Sequence, residues 1–546
     1  MRSRKRRDLI SWRFCSMLIP ASPPLSSAAK AIPPTANTLS ERFAWTGLSP
    51  AVRHAQPVAG AACTLNESTR ILIDDERIRP LATRLAFGLA VAAGLSKSPV
   101  VMLASGSPQQ SRGDVVLNLS APDTAQVPIP AKGLNEAYRI DITDAIRVTA
   151  KTLEAMARAL TTLHKAVRVC TTLAPGVVID APTYAERSVL LDVGRKYYSP
   201  EWIKNLLREM AWNQLNTLYL HLTDNEGVRI VFPSHPGLSS ADAWSAEELK
   251  EILDTAASYH INVIPGIESP GHMKFILRNR PEFQLHLSDG SVVPKALDFS
   301  IPAARRFVKE LLKDVFDMFP DSTHVNLEAD EYFLSPITSY NTPQLAVYAR
   351  QASGKPGANS RDGVRQFVNE LASFVRENGK IARMWNDAVV QDNQVIEVDT
   401  AVEILCWSIW GSVRSEKNVQ ALIDAGYTVL NAHGDFYFVI QSNWSNLVDR
   451  KHSPYGLYDV WRPNHFMDKA GQSVTIIDAN HPAMKGAGIQ VWADEPDYLS
   501  AEKVWSHLIQ WMQPTGQRLW GSLHAANTMK EVKPITRSVA FAPPER

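Results

Sequence analysis

No apolar run in this 546-residue chain reaches the ~18 residues that a membrane-spanning helix needs, which excludes a helical membrane span. Cysteine is scarce. Cys15, Cys63, Cys170 and Cys406 show no paired spacing, so neither a disulfide framework nor a zinc site is expected. Charge of one sign is also lacking: 57 basic residues face 56 acidic ones. A nucleic-acid binder would carry a basic footprint, and the slightly acidic body of the chain beyond residue 31 lacks one. Phosphate loops are missing as well, since no Gly-x4-Gly-Lys occurs and Gly486-Ala-Gly488 lacks a third glycine. Neither a Gly-x-Ser-x-Gly elbow nor a His-Glu-x-x-His helix appears. No metal or organic cofactor is implied.

What is present is ordinary globular composition, 45% hydrophobic and 21% charged. The one uneven stretch is residues 1–31, where seven basic residues face Asp8 alone, leaving the remainder acidic by about five charges. Arg6-Arg7-Asp8-Leu9-Ile10 is similar to a twin-arginine leader, and Ala29-Lys30-Ala31 suits a cleavage site. Residues 1–31 therefore read as a leader for a secreted or periplasmic protein; a solvated basic tail on a cytoplasmic protein is the alternative.

Residues 32–64, rich in Pro, Ala and Ser, read as a linker. Residues 65–178 read as a small α/β domain, with strands at Ile71–Ile73, Val100–Leu103, Val115–Leu119 and Arg139–Ile142 and helices at Ile78–Gly94 and Leu153–Val167. From 179 to 546 the pattern becomes regular. Eight short apolar runs, Ser188–Val193, Thr217–Asp224, Asn262–Glu268, His324–Glu331, Ile381–Asp387, Val402–Ser408, Thr428–Ala432 and Gly488–Asp494, are mostly separated by amphipathic helical stripes. That rhythm predicts a parallel (β/α)8 barrel preceded by the small α/β domain.

Active sites of such barrels lie where the strands end. These runs end in residues poorly suited to packing: Asp192 with Arg195, Asp224, Glu268 with His272, Asp330-Glu331, Trp385 with Asp387, Trp407, and Trp492 with Asp494. Converging carboxylates and indoles fit a sugar, whose hydroxyls donate to carboxylates and whose ring faces stack on aromatics.

These residues carry a resemblance. Arg187–Arg195 through Trp212–Asp224 looks like the opening of family 20 glycoside hydrolases, the β-N-acetylhexosaminidases. Val263–His272 resembles that family's Pro-Gly-His segment, His324–Glu331 its strand with the catalytic Asp-Glu pair, and Val491–Asp494 its last Trp-x-Glu/Asp strand. Glu136–Ile140 and Ala159–Leu163 resemble parts of its preceding small domain. Adjacent Asp330 and Glu331, with Cα atoms ~3.8 Å apart, are poorly placed to flank one sugar ring from opposite faces, as two carboxyls ~5–5.5 Å apart do in double-displacement enzymes.

The resemblance implies exo-hydrolysis of terminal β-linked GlcNAc or GalNAc from a carbohydrate substrate, with retention and substrate assistance. Glu331 would be the acid/base, its pKa raised by burial beside a second carboxyl, and Asp330 would hold the acetamido N–H. Arg195 would grip sugar hydroxyls, while Asp224 and His272 would tune the acid/base. Trp385, Trp407 and Trp492 would wall the acetamido pocket, Tyr437 would bond the acetamido oxygen, and Asp494 would hold the C4 and C6 hydroxyls. Departures from the family pattern are Asn326, Glu328-Ala329 in place of a glycine pair, Gly266 in place of a Glu, Glu268 in place of an Asp, Val439, and a last Trp-x-Glu that reads Trp492-Ala-Asp494, so that either Asp494 or Glu495 aligns with its Glu. They leave open a different bond specificity, such as release of a disaccharide or cleavage of a modified GlcNAc, or a binding barrel without turnover.

Overall fold

The computed structural model describes residues 44–104, 110–389, 394–407, 419–432, 438–440, 453–467, 474–524 and 526–543. Residues 1–31, read above as a leader, and Tyr437 lie outside the described residues.

The N-terminal layer is a seven-stranded mixed sheet. Its strands are β1 (His54–Pro57), β2 (Arg70–Ile73), β3 (Val100–Leu103), β4 (Val115–Leu119), β5 (Tyr138–Ile142), β6 (Ile146–Ala150) and β7 (Gly176–Asp180), in the order β1-β7-β5-β6-β4-β2-β3. Helices α1 (Arg79–Ala93) and α2 (Leu153–Val169) pack against it. Gly94 ends α1 with a left-handed φ of 66°, a conformation glycine adopts without penalty.

The linker expectation for 32–64 fails in its second half. His54–Pro57 pairs antiparallel with β7, and Trp45 and Leu48 are buried in the layer's core. A strand at the sheet's edge tolerates the proline that made this stretch read as linker. Strands β6 and β7 were likewise not anticipated.

The second part is a closed barrel. Its strands are β8 (Glu186–Asp192), β9 (Thr217–His221), β10 (Asn262–Ser269), β11 (His324–Glu328), β12 (Ile381–Trp385), β13 (Glu403–Cys406), β14 (Val429–Asn431) and β15 (Met484–Trp492). Each pairs parallel with the next, and β15 pairs with β8. All eight expected runs are strands of the barrel. Several runs outlast their strands: β9 ends at His221 and β11 at Glu328, so Asp224, Asp330 and Glu331 stand on loops above the rim. Gly486 and Gly488 belong to the closing seam, where a Cβ would lie 2.0 Å from the Glu186 carbonyl oxygen and 2.1 Å from Ser188 Oγ.

The helices between strands start where side chains cap them. Ser199 accepts from the Trp202 amide with Pro200 in the first turn, and Ser245 with Glu248 forms a capping box. Their apolar stripes pack on the outer barrel face, while Leu190, Tyr219, Ile264, Trp385, Leu405 and Leu430 form a layer inside. Glu136 joins the two parts. It accepts from Arg158 on α2 at 2.9 Å and from Arg187 on β8 at 2.6 Å, all three buried. Among the described residues no helix is long and apolar enough to cross a membrane.

Candidate active site

Above the inner layer, the strand ends enclose a cavity of about 220 Å³. Arg195, His272, Asp330, Glu331, Trp385, Trp407, Trp492 and Asp494 all line it, together with Val439. Eight of the ten residues expected at the site thus meet in one hollow. Asp224 lies buried beneath it, one contact removed.

Asp192, at the end of β8, is fully buried and accepts from the Arg195 amide and Nη1, both at 2.9 Å. Arg195 Nη2 lies 2.8 Å from Asp224, and its Nη1 is 3.8 Å from Asp494. Much of its donor fork is therefore held by protein carboxylates, which fixes the guanidinium against the Trp492 ring, 5.6 Å from the centroid.

His221 was not anticipated. It is fully buried at the end of β9, with Nε2 3.0 Å from Asp224 Oδ2 and Nδ1 3.0 Å from Glu328 Oε1. Asp224 Oδ1 stands 3.3 Å from His272 Nδ1. His272 Nε2 then points between the acid pair, 3.7 Å from Asp330 Oδ2 and 3.6 Å from Glu331 Oε2, beyond hydrogen-bond length from either. The Pro-Gly-His loop reaches this place because Gly271 has no side chain; a Cβ there would meet the Asp330 carbonyl at 3.0 Å.

Burial alone would lower both histidines. For His272, Glu268 and Asp330 reverse this, and for His221, Glu328 and Asp224 do, so both rise well above the usual imidazole range. Burial favours neutral Asp224, but His221, His272 and Arg195 outweigh it and hold that carboxyl low. Asp330 is pushed up to about 6 by burial, with Glu331 adding to the rise. Asp387 is pushed to about 7 by burial and by Asp330, although Trp407 Nε1 donates to it at 2.8 Å. Glu268 is raised by burial and by Asp330.

One expectation is corrected here. The raised carboxyl is Asp330, whereas Glu331 is lowered, chiefly by His272. The reason is position: Glu331 keeps 36% of its side chain exposed, so water and an imidazolium favour its charge.

Three groupings bring carboxylate and imidazole atoms within 4.8 Å of one another: His221 with Glu268 and Glu328, Asp224 with Glu268 and His272, and His272 with Asp330 and Glu331. In each, the histidine lies against carboxylates as an ion pair.

The indoles form one wall. Trp385 and Trp492 rings lie 5.9 Å apart, and Trp492 meets the His221 ring edge-on at 5.0 Å. Backbone strain gathers here too: His272, Glu328, Ala329 and Glu331 all have φ between 48° and 65°. Such conformations persist where the surroundings enforce them, and they cluster at functional sites.

The model of the glycosyl hydrolase family 20 catalytic domain matches residues 184–509, the whole barrel as drawn above. The chain is 29% identical over 486 residues to a lacto-N-biosidase of Bifidobacterium bifidum, covering 86% of this chain and 40% of that protein. It is 31% identical over 189 residues to a β-hexosaminidase of Vibrio furnissii, covering 29% of this chain and 31% of that one. The chain thus spans less than half the length of these two relatives. A solved β-N-acetylhexosaminidase from Bacteroides fragilis shares the fold with a TM-score of 0.69 at 19% identity, over 90% of this chain and 94% of that one. With the family model covering more than half of its length, the chain belongs to glycosyl hydrolase family 20 and carries that family's catalytic domain.

Proposed function

We propose that the chain is an exo-acting β-N-acetylhexosaminidase, hydrolysing terminal β-linked GlcNAc or GalNAc with retention by substrate assistance. The observation that carries this reading is the adjacent Asp330 and Glu331 on one wall of a cavity closed by three indoles. A sugar seated there lays its apolar face on the tryptophans and turns its acetamido group to Asp330.

Glu331 gives its proton to the glycosidic oxygen as the C1–O bond breaks. The acetamido carbonyl oxygen attacks C1 while Asp330 accepts a hydrogen bond from the acetamido N–H, and an oxazolinium forms. Water then attacks C1, its proton passes to Glu331, and the oxazolinium ring reopens. A sugar filling the cavity removes water from Glu331 and raises its pKa, which is what a proton donor requires. Asp224 and His272 act behind the pair, Arg195 and Asp494 take ring hydroxyls at the rim, and Tyr437 is assigned the acetamido oxygen from sequence alone.

A second reading is release of a disaccharide by the same chemistry. Two observations favour it: the likeness to a lacto-N-biosidase extends over most of the chain, and Asp494 stands half exposed at an open edge of the cavity.

The test is nitrophenol release from the 4-nitrophenyl β-glycosides of GlcNAc, GalNAc, lacto-N-biose and glucose. Turnover of an acetamido monosaccharide, with none of the glucoside, is the expected result. Turnover of the lacto-N-bioside alone supports the second reading. Silence on all four with folded protein defeats both and leaves a binding barrel.

A further inference from the structure

Glu328 is fully buried at the end of β11, where four donors converge on it. Tyr219 Oη lies at 2.6 Å, His221 Nδ1 at 3.0 Å and Asn326 Nδ2 at 2.8 Å, and the Trp385 indole N–H completes the set. They come from β11 itself, from β12 beside it and from β9 across β10, and fill the acceptor sites of one carboxylate.

The surroundings are shaped for this side chain. Glu328 and Ala329 sit at φ 59° and 65°, where any residue with a Cβ is strained by ~1 kcal/mol or more and glycine is not. On the next strand, Gly266 supplies the room: a Cβ there would lie 2.2 Å from Glu328 Oε1 and 2.7 Å from the Tyr219 ring. Two positions that look independent in sequence are one steric unit, in which a carboxylate comes from β11 because β10 carries no side chain there.

From Glu328 a line of alternating acids and bases leads outward. His221 bridges it to Asp224, Asp224 meets His272, and His272 faces Asp330 and Glu331. We propose that Glu328 is a positioning residue of the acid/base centre, fixing His221 and through it Asp224 and His272, and that Gly266 is retained to make its place. This rests on the hydrolase reading above.

Burial alone would discharge His221; a carboxylate on each of its nitrogens keeps it an imidazolium that donates both ways. The other charged groups around this line are Asp192 on β8, Arg195 after it, Glu268 on β10, Arg383 on β12 and Asp387 beyond it.

The experiment uses the full chain with Glu328→Gln, Glu328→Gly and the exchange Glu328→Gly/Gly266→Glu, with Glu331→Gln as blank. The probes are 4-nitrophenyl N-acetyl-β-D-glucosaminide and the 4-nitrophenyl lacto-N-bioside. Thermal melts and the histidine ¹⁵N spectrum are read beside the rates. Glu328→Gln should lower kcat at least about tenfold with KM within about threefold, and His221 should lose its imidazolium signal near neutral pH. The exchange should recover most of the rate that Glu328→Gly loses.

Parent-like kcat in Glu328→Gln overturns the proposal, as does an unchanged His221 signal. So does a folded exchange variant as slow as Glu328→Gly. Should Glu328→Gln not fold, the exchange variant decides. A parent inactive on both probes defeats the hydrolase reading instead, and the His221 signal still reports on Glu328.

Discussion

The barrel carries a buried charge cluster at each end, and the two are built on opposite plans. At the N-terminal end, Arg383 on β12 donates to Glu186 at 2.7 Å and to Glu403 at 2.7 Å, while Lys485 contacts Glu403 and His324. Two carboxylates meet two cations. Burial would raise Glu186 and Glu403, yet Arg383 holds both low. At the C-terminal end, acids outnumber bases: Arg195, His221 and His272 serve Asp192, Asp224, Glu268, Glu328, Asp330, Glu331, Asp387 and Asp494. Glu268, Asp330 and Asp387 are pushed upward as a result. A balanced cluster tolerates no loss, whereas an unbalanced one keeps protons available at working pH. The second arrangement is what acid/base chemistry needs and what a purely structural cluster has no reason to keep.

The largest expected effects separate the ends by kind. Glu331→Gln or Asp330→Asn should cut kcat/KM by about 10²–10⁴ with little change in melting temperature. Arg383→Met should do the reverse. It leaves Glu186 and Glu403 buried without their cation, at a cost of about 3–5 kcal/mol, while the folded fraction turns over normally. Melts and active-site-normalised rates on the three proteins check this. An Arg383→Met protein that folds fully and is as slow as Asp330→Asn would break the distinction.

A smaller effect concerns pH, and the two ends should respond in opposite directions. Glu186 and Glu403 fall below their ordinary 4.5 on folding, so their contribution is present above that value and lost as acid takes the pH below it. Asp330 and Asp387 rise from 3.8 to about 6 and about 7, so theirs is complete below about 4 and lost as pH climbs through 6 and 7. Between pH 5 and pH 8 the melting temperature of Asp387→Asn should therefore gain on that of the parent. A constant gap across that window would mean that Asp387 is ionised throughout.

Parts of this design were legible in sequence, and particular residues show why the rest was not. The eight barrel strands announce themselves because a strand covered on both faces is a short apolar run, and polar or aromatic ends such as Asp192 and Trp492 mark where each stops. Acid/base candidates were legible for the same reason. His221 was not: inside Leu220-His-Leu222 it reads as part of an apolar strand, and its partner Glu328 is 107 residues away. Gly266 and Glu328 looked like two separate departures because only the barrel closes the gap between β10 and β11. In the N-terminal layer, β1 hid in a proline-rich stretch, since its partner β7 lies more than a hundred residues downstream.

The smallest expected effect sharpens the comparison at its edge. Asp494 belongs to the acid-rich end, yet half of its side chain faces water and its cation, Arg195, is 3.8 Å away and engaged with Asp192 and Asp224. Removing it should leave no buried charge unpaired. Asp494→Ala should thus change stability by no more than about 0.5 kcal/mol, as surface substitutions do. If Asp494 takes ring hydroxyls, the same change should raise KM for the monosaccharide probe with kcat nearly unchanged, the mark of binding shared by ground and transition states. Parallel kinetics on the lacto-N-bioside add a second axis. A KM increase confined to the monosaccharide places Asp494 against the terminal sugar alone, whereas an equal increase on both places it against a ring that the two substrates share. An unchanged KM on both would remove Asp494 from the site and leave the acid-rich end closed by its buried members.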